Sequence, residues 1–128
     1  MISGIVERNE LGGLEPRISV SVMDADGELQ QFQVVLDTGF TGWLMLPEAD
    51  INKLGLVRKG RHRGILASGN DEEFEYYETQ VSWHDRLHEI EVFQSIDQAL
   101  LGMEMLEGSR VSVEAWDGGN VIIEEAVP

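Results

Sequence analysis

The chain has 128 residues, 42% of them hydrophobic, no Cys, and 24 Asp plus Glu against 9 Lys plus Arg, a formal net charge of -15. Read as a single domain over residues 1–128, it buries roughly two-thirds of the surface its unfolded chain exposes and needs neither disulfides nor a structural metal. The acid excess argues against nucleic acid and anionic membranes as partners, since both are held by basic side chains, and the lack of Cys removes thiol nucleophiles, thiolate metal sites and redox motifs.

The longest apolar stretches, such as Val34-Val35-Leu36 and Trp43-Leu44-Met45-Leu46, fall far short of the roughly 20 residues of a membrane-spanning helix. The start, Met1 to Arg8, lacks the basic region and apolar core of an export signal, so the expected compartment is cytoplasmic. Short apolar runs alternate with turn signals along most of the chain, which predicts strands. The first is Ile2 to Val6. After the Gly-containing loop Asn9 to Gly13, Ile18, Val20 and Val22 repeat with period two, and the turn Asp24-Ala25-Asp26-Gly27 leads into Phe32 to Leu36, completing a hairpin. Pro47 before Glu48 and Asp50, with Gly55 as a stop, predicts a short helix over Glu48 to Leu54. Arg58, Lys59, Arg61 and Arg63 then gather around His62; a binding patch is one reading, and a solvated strand edge guarded by charge is the more ordinary one.

Two consecutive hairpins follow from Arg63 to Ile96, with a polar tip at Ser68 to Asp71 and a turn near His84-Asp85-Arg86. A helix of one to two turns is expected from Met103 to Glu107, closed by Gly108, with Met103, Met105 and Leu106 in the core. A last hairpin joins Val111-Ser112-Val113 to Val121-Ile122-Ile123. The fold class is therefore all-β, mainly strands with one or two short helices.

The segment with most chemical content is Val34 to Pro47. A strand ends at Asp37, Thr38 supplies a hydroxyl, and Gly39 lets another backbone or carboxylate approach closely. In isolation Asp37 reads as a turn residue with an Asx-type hydrogen bond. What sets it apart is context: apolar runs on both sides, and a later apolar Ala99-Leu100-Leu101-Gly102 before a short helix. Elsewhere the candidates are poor. His84 and His88 flank a hairpin turn, where their spacing does not converge on a metal; Gly102 to Gly108 contains no Lys and no phosphate cradle; and no nucleophile-elbow pattern supports a Ser-His-Asp hydrolase. No metal and no cofactor are expected.

In the order and spacing of these elements, the sequence resembles the aspartic proteases of retroviral and pepsin type, most closely the small single-domain retropepsin-like members of bacteria and archaea. Leu36-Asp37-Thr38-Gly39 matches the strand running into Asp-Thr/Ser-Gly, Ala67-Ser68-Gly69-Asn70 is the candidate flap tip, and Leu100-Leu101-Gly102 matches the apolar-apolar-Gly segment before the short helix. The resemblance implies a retropepsin-like acid-protease barrel, one lobe per chain, that hydrolyses peptide bonds in extended segments of peptides or unfolded proteins. Such chemistry needs two carboxylates sharing a proton. One Asp-Thr-Gly is present, so the second carboxylate is implied to be Asp37 of another protomer, in a twofold homodimer. Thr38 is implied to bond across that axis, and the strands Ile2 to Val6 and Val121 to Ile123 to build part of the interface. Phe40 departs from the small Ala or Ser usual after this motif; its ring either lines a substrate subsite, dehydrates the carboxylates or packs in the core. The alternative to a protease is a non-catalytic homodimeric binding or scaffold domain that keeps the same fold.

Overall fold

Among the described residues the period-two pattern is realised as ten strands with two short helices: β1 Ile2–Arg8, β2 Leu14–Met23, β3 Leu29–Leu36, β4 Leu44–Pro47, α1 Glu48–Leu54, β5 Arg58–Ile65, β6 Asp71–Trp83, β7 Arg86–Ser95, β8 Leu100–Leu101, α2 Met103–Leu106, β9 Ser109–Val113 and β10 Asn120–Glu125. The computed structural model describes residues 1–65 and 71–127. The expected flap tip, Ala67, Ser68, Gly69 and Asn70, therefore lies outside the described residues. Among the described residues, no helix is long and apolar enough to cross a membrane.

All ten strands join one mixed sheet in the order β5-β6-β7-β4-β8-β3-β2-β1-β10-β9. A further antiparallel pairing, Ser21 with Ser82 and Val22 with Val81, ties β2 back to β6. That contact closes β6, β7, β4, β8, β3 and β2 into a ring, so the expected barrel is present, with β1, β10 and β9 extending beyond it. Its interior is apolar: Ile18, Val20 and Val22 from β2, Val34 and Leu36 from β3, Leu44 and Leu46 from β4, Val81 and Trp83 from β6, Ile90 and Val92 from β7, and Leu101 from β8. Each of these alternates along its strand with less buried residues, apart from the continuous run in β4, whose central position between β7 and β8 buries both faces.

Helix α1 matches its expected bounds. Gly55 caps it in the left-handed region at φ 68, with its N–H bonded to the carbonyls of Ile51 and Asn52, while Ile51 and Leu54 enter the core. Helix α2 is a single turn in which Met105 and Leu106 are buried, but Met103, expected in the core, is 46% exposed. It opens the helix beside the loop after β3 and has no neighbouring turn to cover it.

The turn after β2 is held by one carboxylate. Asp24 Oδ1 accepts the N–H groups of Asp26 and Glu28, and Oδ2 accepts from Gln30 Nε2. The Gln30 hydrogen bond, followed by that from Glu28, draws the Asp24 pKa below its ordinary 3.8. A carboxylate depressed in the folded state contributes stability above its unfolded value and loses it as pH falls through the folded one. Asp24→Ala is therefore expected to lower the melting temperature at neutral pH, with the deficit closing only below pH 3.8, as thermal scans of both proteins across pH would show.

Candidate active site

Strand β8 is two residues long, yet it fixes the site. It pairs in parallel with β3, Val35 with Leu100 and Leu36 with Leu101, and antiparallel with β4, Leu44 with Leu101 and Met45 with Leu100. The loop between β3 and β4 must therefore arch over the end of β8, and Asp37 is its first residue. The Asp37 N–H donates to the Leu101 carbonyl at 2.9 Å, continuing the β3–β8 ladder by one bond. Asp37 Oδ1 accepts the Gly39 N–H at 2.9 Å, and the Asp37 carbonyl accepts the Phe40 N–H at 3.1 Å. These two bonds turn the backbone and aim the half-buried carboxylate. Among the described residues, neither Oδ2 nor the exposed Thr38 hydroxyl has a hydrogen-bond partner.

Three further bonds stitch this loop to the start of α2: Gly102 N–H to the Trp43 carbonyl at 3.0 Å, Met103 N–H to the Phe40 carbonyl at 2.8 Å, and Glu104 N–H to the Gly42 carbonyl at 3.2 Å. The approach is so close that a Cβ on residue 102 would stand 2.4 Å from the Gly42 carbonyl oxygen and 2.6 Å from that of Phe40. The structure thus brings Asp37, Thr38, Gly39 and Phe40 together with Leu100, Leu101 and Gly102, segments far apart in sequence.

The Phe40 ring is half-buried rather than in the core, lies against Gly42 and Gly102, and meets Phe93 of β7 at 6.0 Å between centroids. Phe93 in turn stacks with Phe74 of β6 at 5.9 Å and touches His62 of β5 at 5.7 Å, and His62 stacks on Tyr76 at 4.0 Å. The His62 Nε2 atom is 2.9 Å from Glu91 Oε2. A half-buried aromatic wall therefore runs from the Asp37 loop to the β5–β6 hairpin. No motif marks Phe74, Tyr76 or Phe93, and His62 stands out only as part of the basic cluster, although strand parity carries the signal: Val81 and Trp83 face the core, which turns Phe74 and Tyr76 outward, and Ile90 and Val92 do the same for Phe93.

The other sequence candidates go elsewhere. His84 bonds to Ser109 Oγ and His88 to the Trp83 carbonyl, while His84, desolvated by its surroundings, is drawn below its ordinary 6.5. Of the basic cluster, Arg58 pairs with Glu75 and Arg61 with Glu73 and Glu75, on an edge strand bulged between Arg58 and Gly60. These are the guards of an exposed edge.

With this geometry in hand, comparison with solved structures is decisive for the fold. EIAV protease in complex with the inhibitor HBY-793 aligns with a TM-score of 0.54 and 21% identity over 73% of this chain and 86% of that one. A retropepsin-like aspartic protease from Rickettsia conorii gives the same score and identity over 95% of this chain and 91% of that one. The chain has the retropepsin fold. No protein-family model and no curated protein matches the sequence. Within the retropepsin fold, the Asp37 loop and the Leu100–Gly102 segment lie interlocked at the ends of β3 and β8.

Proposed function

We propose that this chain is a homodimeric aspartic endopeptidase acting on extended polypeptide segments. The observation that carries the reading is the Asp-Thr-Gly loop at the end of β3, buttressed by Leu101 and Gly102 in a retropepsin fold. A water held between Asp37 of one protomer and Asp37 of its partner is deprotonated by the ionised carboxylate as it attacks the peptide carbonyl. The protonated carboxylate donates to the carbonyl oxygen, and the pair then passes a proton to the leaving amine. Atoms balance with water as sole co-reactant, so the reading needs no cofactor.

Several features fit a half-site. Gly39 N–H already bonds to Oδ1, which supports Oδ2 as the reacting atom, and an exposed Thr38 hydroxyl without a partner among the described residues supports the reading that it bonds to the other protomer. The substrate would lie along the aromatic wall beneath the β5–β6 hairpin and pair with backbone as an added strand.

Cleavage of an unstructured protein by the wild type somewhere between about pH 3 and 7, absent in Asp37→Asn, tests the proposal. A folded dimer with no activity across a broad peptide library would point instead to a binding domain. The aromatic wall adds a sharper expectation. Phe93→Ala removes the ring that joins Phe40 to Phe74 and should raise KM for substrates with apolar side chains by roughly tenfold with little change in kcat, because the lost contact serves ground and transition states alike.

A further inference from the structure

Between α2 and the turn that joins β6 to β7 lies a cavity of about 330 Å³. It adjoins the loop that follows Asp37: Trp43, whose carbonyl accepts the Gly102 N–H, and Glu104, whose N–H donates to the Gly42 carbonyl, both border it. None of the described residues that line it belongs to the aromatic wall. Trp83 forms part of its lining. That residue is only 5% exposed, and its Nε1–H has no hydrogen-bond partner among the described residues. An indole nitrogen can only donate, and a buried donor costs free energy until an acceptor reaches it.

The structure around Trp83 is held in place by several ties. Trp83 pairs with Arg86 across a two-residue turn, and both turn residues, His84 at φ 50 and Asp85 at φ 62, take the left-handed region that such turns usually give to Asn-Gly. His84 Nε2 lies 2.8 Å from Ser109 Oγ of β9, His88 Nε2 bonds to the Trp83 carbonyl at 3.1 Å, and Arg86 pairs with Glu125 of β10. A turn without glycine persists in this conformation when its surroundings over-determine it, a circumstance common at ligand sites.

Electrostatics decides which acceptor fits. Arg86 is neutralised by Glu125, and His84, desolvated by its surroundings, is drawn below its ordinary 6.5 and is largely uncharged at neutral pH. Glu104 and Glu107, which also line the cavity, are exposed, and their carboxylates have no partner among the described residues. An anionic ligand is therefore repelled, and the acceptor must be a neutral oxygen carried by a cation. Trp43, Trp83 and the buried Met105 supply surface against which an ammonium and its stem can pack. The volume is at the lower end for small-ligand sites, room for one or two residues. We infer that this cavity binds the free amino-terminal end of a short peptide, with the ammonium held by Glu104 and Glu107 and a backbone carbonyl oxygen accepting from Trp83 Nε1–H. The inference does not depend on catalysis by Asp37, although peptide hydrolysis is one source of such ends.

Heteronuclear NMR of the nitrogen-labelled chain decides the matter, because its three Trp give three separate indole N–H signals. Trp83→Phe identifies the signal of Trp83, and sequential assignment of the wild type does so if that variant fails to fold. Titration with glycyl-leucine amide should move the Trp83 indole proton downfield to a plateau, as a new hydrogen bond requires, and leave that of Trp116, 59% exposed and not in the lining, in place. Acetylating the amino group, or replacing the peptide with butylamine, which lacks an acceptor, should weaken binding about tenfold or more. Glu104→Gln combined with Glu107→Gln should do the same. Asp37→Asn should bind the peptide amide as the wild type does; a titration lost in that variant would move the peptide to the Asp37 site and overturn the inference. A Trp83 signal unmoved at tens of millimolar peptide would overturn it too, leaving the donor to water. Acetylated peptide binding as tightly as the free one would overturn the role of the two glutamates, and butylamine doing so would overturn that of Trp83.

Discussion

Asp37→Asn is expected to lower peptide hydrolysis by at least about 10³-fold while leaving the melting temperature close to that of the wild type. The substitution is nearly isosteric, and an amide oxygen at Oδ1 still accepts the Gly39 N–H that shapes the loop. What is lost is the proton inventory. An amide neither takes a proton from water nor shares one with its twin, and in a homodimer both halves of the pair change together. The pH profile of the wild type carries the complementary test. On the proposed mechanism one carboxylate must accept a proton while its twin donates one, so activity should fall on both sides of a working pH and give a bell-shaped profile. Cleavage by Asp37→Asn at the wild-type rate would remove the aspartic mechanism altogether. Activity lost together with the fold would instead call for circular dichroism of the variant before the residue is given a chemical role.

Much of this arrangement is legible in the residues, and the boundary falls where physics becomes non-local. Period two in Ile18, Val20 and Val22 names a strand and its buried face. Pro47, the acids after it and Gly55 delimit α1. Barrel closure is different: the β2–β6 pairing joins Val22 to Val81, and nothing local to either residue announces the other. The same holds for β8, whose two residues earn strand geometry only from β3 and β4 on either side. Met103 was expected in the core because it is apolar and near Met105, but a one-turn helix buries one side only, and its first residue faces outward. His62 was read within a run of charge, whereas its ring stacks on Tyr76 and reaches Glu91. Cross-strand register, invisible in the linear order, decides that role.

Gly102→Ala should be the most damaging single substitution near the site, costing about 3 kcal/mol or more and lowering the melting temperature by roughly 10 °C. Backbone conformation is not the reason. Residue 102 has φ -103 and ψ -178, extended geometry that alanine adopts freely, and in open space Gly→Ala would stabilise by about 0.4–1 kcal/mol through the unfolded chain. The obstacle is contact: a Cβ there would stand 2.4 Å from the Gly42 carbonyl oxygen, 2.6 Å from the Phe40 carbonyl oxygen and 2.6 Å from the Phe40 ring. Relief requires the loops to part, which breaks the bonds from Gly102, Met103 and Glu104 that hold the Asp37 loop in place. Stability and activity should therefore fall together, unlike in Asp37→Asn. The double variant with Phe40→Ala separates the two sources of crowding. Removing the ring leaves both carbonyl oxygens where they are, so little stability should return; full rescue would show that the aromatic ring, rather than the backbone approach, is what demands glycine.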